Sequence, residues 1–217
     1  MNTIDFYFDF ISPYAYLANA RLPSLAEKYG CALNYRPIDL QAAKTAAGNT
    51  GPASAQIPPK FRYATIDLMR WADKYGVPFA LPQKKSDSAA GEEQEKVGIP
   101  RELLDSSRAN KAVYFARDKG REREFIDLMY RNTFGAGILV GDDSALRNTV
   151  SELGWDVDTV FEFVHSTVAA QLYEEGNKAA QARGVFGVPT MIVDEQMWWG
   201  NDRLEMLEDY LAQRDTT

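Results

Sequence analysis

The spacing of apolar residues changes along this chain, and the changes mark out its elements. Residues 4–10, Ile-Asp-Phe-Tyr-Phe-Asp-Phe, alternate and are rich in aromatics, the pattern of a buried strand. From 14 to 29 the apolar positions Leu17, Ala20, Leu22 and Leu25 fall near helical spacing, and Gly30 ends the run. Pro23 inside that run predicts a kink or a local break. Residues 32–38 return to a strand pattern. The unit 4–38 therefore reads as strand–helix–strand, long enough for a right-handed parallel crossover.

A different texture follows. Residues 45–59 are rich in Ala, Gly, Thr, Ser and Pro and read as a loop. Residues 60–76 read as a helix ending at Gly76, and the polar, charged stretch 83–98 as a mobile loop. A long helical pattern covers 106–135 with an interruption near Lys119-Gly120. Two more helices are expected over 142–152 and 156–174, capped by Asp142 or Asp143 and by Asp156. Strands return at 188–194 and 196–199 around a tight Asp194-Glu195 turn, and an amphipathic helix over 201–213 closes the chain. This order predicts an α/β protein: a thioredoxin-like fold with a large all-helical insertion between its second and third strands. Residues 1–44 and 176–217 would form the thioredoxin-like domain and 45–175 the insertion.

Composition narrows the function classes. The 217 residues are 45% hydrophobic, enough for a sizeable core, yet no apolar run is long enough to span a membrane. The first residues lack the basic-then-apolar pattern of a secretory signal. Cys31 is the single cysteine and His165 the single histidine, so neither an intramolecular disulfide nor a Cys/His metal cluster is expected. A reducing, cytoplasmic setting fits that count. The net charge of −7 argues against a nucleic-acid partner.

Three segments carry candidate chemistry. Ser12 follows the first strand and precedes the first helix, where unpaired amides and the positive dipole end stabilise an anion. Redox proteins of this architecture place Cys-x-x-Cys there; here the four residues are Ser12-Pro13-Tyr14-Ala15. Serine cannot exchange disulfides, but it can donate a hydrogen bond to a thiolate supplied from outside. It can equally be a plain N-cap with Pro13 at the first helical position. Gly187-Val188-Pro189-Thr190 precedes the third strand, where this topology holds a cis-proline whose preceding residue offers its backbone to a peptide-like ligand. Asn201 and Asp202, in Trp198-Trp199-Gly200-Asn201-Asp202-Arg203-Leu204, either cap the last helix or hold a ligand's ammonium and carboxylate. No Gly-x-Ser-x-Gly elbow surrounds any serine. His165 on a helix and Cys31 at a strand start read as structural.

Taken together, Asp5-Phe6-Tyr7-Phe8-Asp9-Phe10-Ile11-Ser12-Pro13-Tyr14, Gly48-Asn49-Thr50-Gly51-Pro52, Val185-Phe186-Gly187-Val188-Pro189-Thr190 and 198–204 resemble the 2-hydroxychromene-2-carboxylate isomerase family. That family sits with the kappa-class glutathione transferases in the wider DsbA-like group, and the resemblance covers nearly the whole chain. It implies a glutathione cofactor, an aromatic carboxylate as small-molecule substrate, isomerisation to trans-o-hydroxybenzylidenepyruvate in naphthalene or related aromatic catabolism, and a homodimer. It further implies that Ser12 meets the glutathione sulfur, that Val188 beside Pro189 pairs with the cysteinyl backbone, that Asn201 and Asp202 hold the γ-glutamyl end, and that Lys60 lies near the glycyl carboxylate. For the substrate, Lys44, Arg108 and Lys60 are candidate cations, Asn49 and Asn110 candidate partners for its oxygens, and Tyr14, Trp198 and Trp199 candidate ring contacts. Lys44 and Arg108 read equally well as solvated charges, and the tryptophans as core. A kappa-like transferase or peroxidase and a non-catalytic thioredoxin-like module are the competing functions.

Overall fold

The computed structural model describes residues 3–52, 56–82 and 104–214; the stretch read as a polar loop, 83–98, lies outside them. Four strands make one sheet in the order β2-β1-β3-β4: β1 (Thr3–Phe8), β2 (Ala32–Pro37), β3 (Thr190–Val193) and β4 (Gln196–Trp199). β1 and β2 run parallel, whereas β3 is antiparallel to both β1 and β4. The parallel pair is joined by α1 (Pro13–Lys28), and every other crossover helix falls between β2 and β3. This is the thioredoxin order with a helical insertion.

β1 is central, and its alternation explains the core. Ile4, Phe6 and Phe8 are fully buried on one face. Phe8 packs 6.1 Å from Tyr130 at the end of α5 (Glu122–Tyr130), and Tyr130 in turn meets Tyr16 of α1. Tyr7 faces the other side, where Arg183, just past α8 (Thr167–Ala182), donates to its hydroxyl at 3.1 Å. Each such aromatic side chain stabilises the fold by roughly 1.5–3 kcal/mol through burial, so the aromatic strand fixes where both helical layers dock.

Among the described residues, the helices between β2 and β3 are α2 (Leu40–Ala46), α3 (Pro58–Tyr75), α4 (Ser107–Asp118), α5, α6 (Asp143–Glu152), α7 (Val157–His165) and α8. A π-helical turn, Arg131–Gly135, extends α5. Two of these features depart from the sequence reading. α2 has no counterpart in the sequence reading and runs two residues into the expected loop; Asp39 caps it by accepting from Ala42 N–H at 2.9 Å. The expected helix over 156–174 is two, since Ser166 takes an extended conformation and caps α8. Of the two outcomes foreseen at Pro23, the break does not occur: α1 is continuous from 13 to 28. Asp142 and Asp156 do cap α6 and α7. After β4, a short 3-10 turn, Asn201–Arg203, leads into α9 (Leu204–Arg214). No helix among the described residues is long and apolar enough to cross a membrane.

Candidate active site

Ser12 sits where β1 hands over to α1. Its Oγ accepts from Ala15 N–H at 3.2 Å, and Pro13 occupies the first helical position. It is therefore an N-cap. Capping uses the oxygen as an acceptor and leaves the hydroxyl proton free, so the cap and the donor role are compatible. The side chain is buried, which strengthens any charge-assisted hydrogen bond made there.

The turn that presents Ser12 is built on Asp9. The Asp9 carbonyl accepts from Ser12 N–H at 2.9 Å, and its carboxylate accepts from Ile11 N–H at 3.2 Å, Leu40 N–H at 2.9 Å and Asn110 Nδ2 at 3.0 Å. Ser106 bonds to the same carboxylate. Burial pushes the Asp9 carboxyl above the usual carboxylate range, against the downward pull of those hydrogen bonds. Asp9 thus ties β1 to α2 and α4 under the turn. It lies within the 5–14 stretch that carries the family resemblance, but the sequence marks it only as a carboxylate between two phenylalanines at the end of a buried strand.

The third-strand loop contains the one cis peptide bond among the described residues, Val188–Pro189. β1 and β3 pair Tyr7 with Thr190, so Pro189 lies at the end of the sheet where β1 leads into Ser12. The neighbours of Val188 are held within the protein: Thr190 Oγ1 donates to Gly187 O at 2.7 Å, and Gly200 N–H donates to Pro189 O at 2.9 Å. The N–H and carbonyl of Val188 itself make no hydrogen bond among the described residues. Such a pair on a buried residue is a ready template for an extended peptide backbone.

The Gly200 bond also brings the Asn201-Asp202 segment to this loop. Asn201 is buried, and its Nδ2 has no partner among the described residues. An unpaired buried donor is costly unless a ligand meets it. Its carbonyl accepts from Tyr75 OH at 3.4 Å. Asp202 is exposed and pairs with Arg203 at 2.6 Å; its carboxylate fills the space a side chain at Gly200 would need, where φ is +113°. Tyr14 OH donates to Asp67 Oδ2 at 3.0 Å. Burial, then Asp67, hold the Tyr14 phenol above its usual range, with Tyr63 and Asp202 adding to the effect. α3 therefore closes one side of the site through Asp67 and Tyr75, two residues that only the packing of α3 reveals.

The structure does not gather the remaining candidates equally. Lys60 is exposed on α3, two helical turns before Asp67 and on the same face. Lys44 lies in the last turn of α2 without an ion pair among the described residues, and exposed Asn49 follows the helix. Arg108 is engaged, donating to Asp143 at 2.5 Å and to Gly141 O at 2.6 Å. Asn110 is sealed from solvent, and its amide nitrogen lies within hydrogen-bond reach of Asp9, Ser106, Ile38 O and Tyr173. Trp198 packs 5.0 Å from Tyr210, while Trp199 is half exposed. A cleft of about 800 Å³ between α4 and α8 includes none of the residues proposed for the site.

The DSBA-like thioredoxin domain family matches residues 3–212. A 2-hydroxychromene-2-carboxylate isomerase from Sphingobium xenophagum is 42% identical over 209 residues, covering 96% of this chain and 97% of its own. The chain belongs to that isomerase family within the DsbA-like thioredoxin group. A solved 2-hydroxychromene-2-carboxylate isomerase superposes with a TM-score of 0.84 at 36% identity, over 97% of this chain and 95% of that one. A more distant relative, glutathione S-transferase kappa 2 of Caenorhabditis elegans, is 23% identical over 217 residues, covering 97% of this chain and 92% of its own. The absence of both sulfurs at positions 12 and 15 is in keeping with an isomerase family.

Proposed function

We propose that this protein isomerises 2-hydroxychromene-2-carboxylate to trans-o-hydroxybenzylidenepyruvate, or a close aromatic catabolite, using glutathione, in a reducing cytoplasmic setting. The observation that carries the glutathione reading is the unpaired backbone of Val188 beside the cis-proline, at the sheet end that holds Ser12. The orphaned Nδ2 of Asn201 fits the same ligand, because a γ-glutamyl carboxylate is the acceptor it lacks. The names of the isomerase relatives support the reaction, and the kappa-class relative supports the cofactor.

The residues divide the work. Val188 aligns the cysteinyl backbone, Asn201 and Asp202 take the γ-glutamyl end, and exposed Lys60 lies near the glycyl carboxylate. Ser12 donates a hydrogen bond from its free hydroxyl to the sulfur and, with the positive dipole end of α1, favours the thiolate over the thiol. When bound, glutathione would supply a thiolate for reversible nucleophilic chemistry at the conjugated substrate, with no net gain or loss of electrons. Lys44 meets the substrate carboxylate in preference to Arg108, whose guanidinium would first have to leave Asp143 and Gly141 O. Asn49 beside Lys44 is the free amide for substrate oxygens; Asn110 acts through Asp9. Tyr14, held by Asp67, borders the ring.

The exposure of Asp202 sets the size of its effect. An exposed charge pair is worth about 0.2–1 kcal/mol, so Asp202→Ala is expected to weaken glutathione binding only about two- to fivefold in calorimetry. Failure of the wild-type protein to bind glutathione in the same titration would overturn the cofactor assignment.

A further inference from the structure

Trp199 poses a question that the reaction leaves open. It stands on the edge strand β4 with 53% of its surface exposed. A tryptophan on an edge strand that neither fills the core nor donates a hydrogen bond among the described residues needs another reason for its place. Its register supplies one. Trp199 pairs with Thr190, which pairs with Tyr7, so its indole lies on the Tyr7 face of the sheet, against the loop that leads into the cis-proline. A Cβ at position 187 would fall 2.8 Å from Trp199 Nε1 and 3.3 Å from Cε2. The backbone of Gly187 is not in the left-handed region that favours glycine. Space for the indole, not conformational freedom, is what requires glycine there. Phe186 also packs against the indole, its ring 4.9 Å from that of Trp199 at 65°.

We propose that Trp199 is a positioning residue for glutathione: by lying on the bare backbone of Gly187, it fixes the orientation of the Val188 N–H and carbonyl that the cysteinyl backbone must meet. The end of β4 then holds both sides of Val188. Trp199 covers Gly187 on one side, and Gly200 N–H holds the Pro189 carbonyl on the other. Thr190 Oγ1 secures the Gly187 carbonyl from within the sheet. Strand-like pairing depends on such alignment, since both hydrogen bonds weaken steeply once their angles open. The proposal deepens the glutathione reading and rests on it.

The test is a double-mutant cycle read by glutathione calorimetry on wild type, Gly187→Ala, Trp199→Ala and the double variant. A methyl at 187 must displace the indole but strains no dihedral angle. Each single variant is expected to bind about tenfold more weakly, the loss of roughly one to two net backbone hydrogen bonds. The double variant is expected to match the singles, because the methyl has nothing left to displace. Wild-type affinity in Gly187→Ala, or losses that multiply to about a hundredfold in the double variant, would overturn the proposal while leaving the glutathione reading intact. No binding by wild type would overturn both. Should a variant at 187 fail to fold, indole emission decides: glutathione is expected to change the emission of wild type but not of Trp199→Phe, and an equal change in both would overturn the proposal.

Discussion

Ser12→Ala is expected to lower the isomerisation rate by about 10- to 150-fold if chemistry limits turnover, the effect of one charge-assisted hydrogen bond worth roughly 1.5–3 kcal/mol. A free thiol has a pKa of about 8.5 and is mostly protonated at neutral pH. The hydrogen bond from the Ser12 hydroxyl and the positive dipole end of α1 both favour the charged form, so the bound thiol should ionise lower than the free one, and less so in the variant. The same substitution also removes an N-cap, which costs about 0.5–2 kcal/mol of stability. Ser12→Asp separates the two roles. Aspartate caps well but cannot donate and repels a thiolate, so its melting temperature should recover toward wild type while its rate stays low. Recovery of both would assign Ser12 to capping alone.

Asp9→Asn is expected to destabilise the fold by about 2–4 kcal/mol. The carboxylate receives the amides of Ile11 and Leu40 and the side chain of Asn110. An amide in its place turns an NH₂ toward donors, leaving buried groups unpaired. The pH dependence has a definite sign. Burial raises the folded value above the unfolded one, so the folded state holds the proton more tightly. That contribution is present in full below the unfolded value of about 3.9 and is lost as pH rises through the raised folded value. The stability gap between wild type and Asp9→Asn, measured by urea unfolding across a pH series, should therefore be widest at acid pH and narrow as pH increases. A gap that widens with pH would mean that the hydrogen bonds outweigh burial and that the folded carboxyl ionises below its ordinary value.

Much of the site could be read from local sequence because its parts are local devices. A strand, then Ser12-Pro13, then helical spacing is a capped helix start whatever surrounds it, and Val188-Pro189 before an apolar strand carries its own backbone constraint. What the sequence hid depends on packing between distant segments. Arg108 and Asn110 offer ordinary ligand chemistry on paper. Only the docking of α4 against the Asp9 turn and the 141–143 loop shows that those groups are already engaged. Asp67 and Tyr75 have no motif at all and reach the site because α3 lies beside α1. The break at Ser166 does not show in the apolar spacing, which continues through it; a single cap, not the pattern, ends α7 and starts α8.

The most direct measurement follows 2-hydroxychromene-2-carboxylate absorbance with purified protein, first stripped of small thiols and then with reduced glutathione added back. Because Cys31 is the only cysteine and lies buried, no thiol of the protein can take the nucleophile's place. Isomerisation should be at background without glutathione and should rise saturably as it is added. S-methylglutathione should occupy the site without restoring turnover. Full-rate isomerisation by the stripped protein, or no isomerisation at any glutathione concentration, would contradict the account.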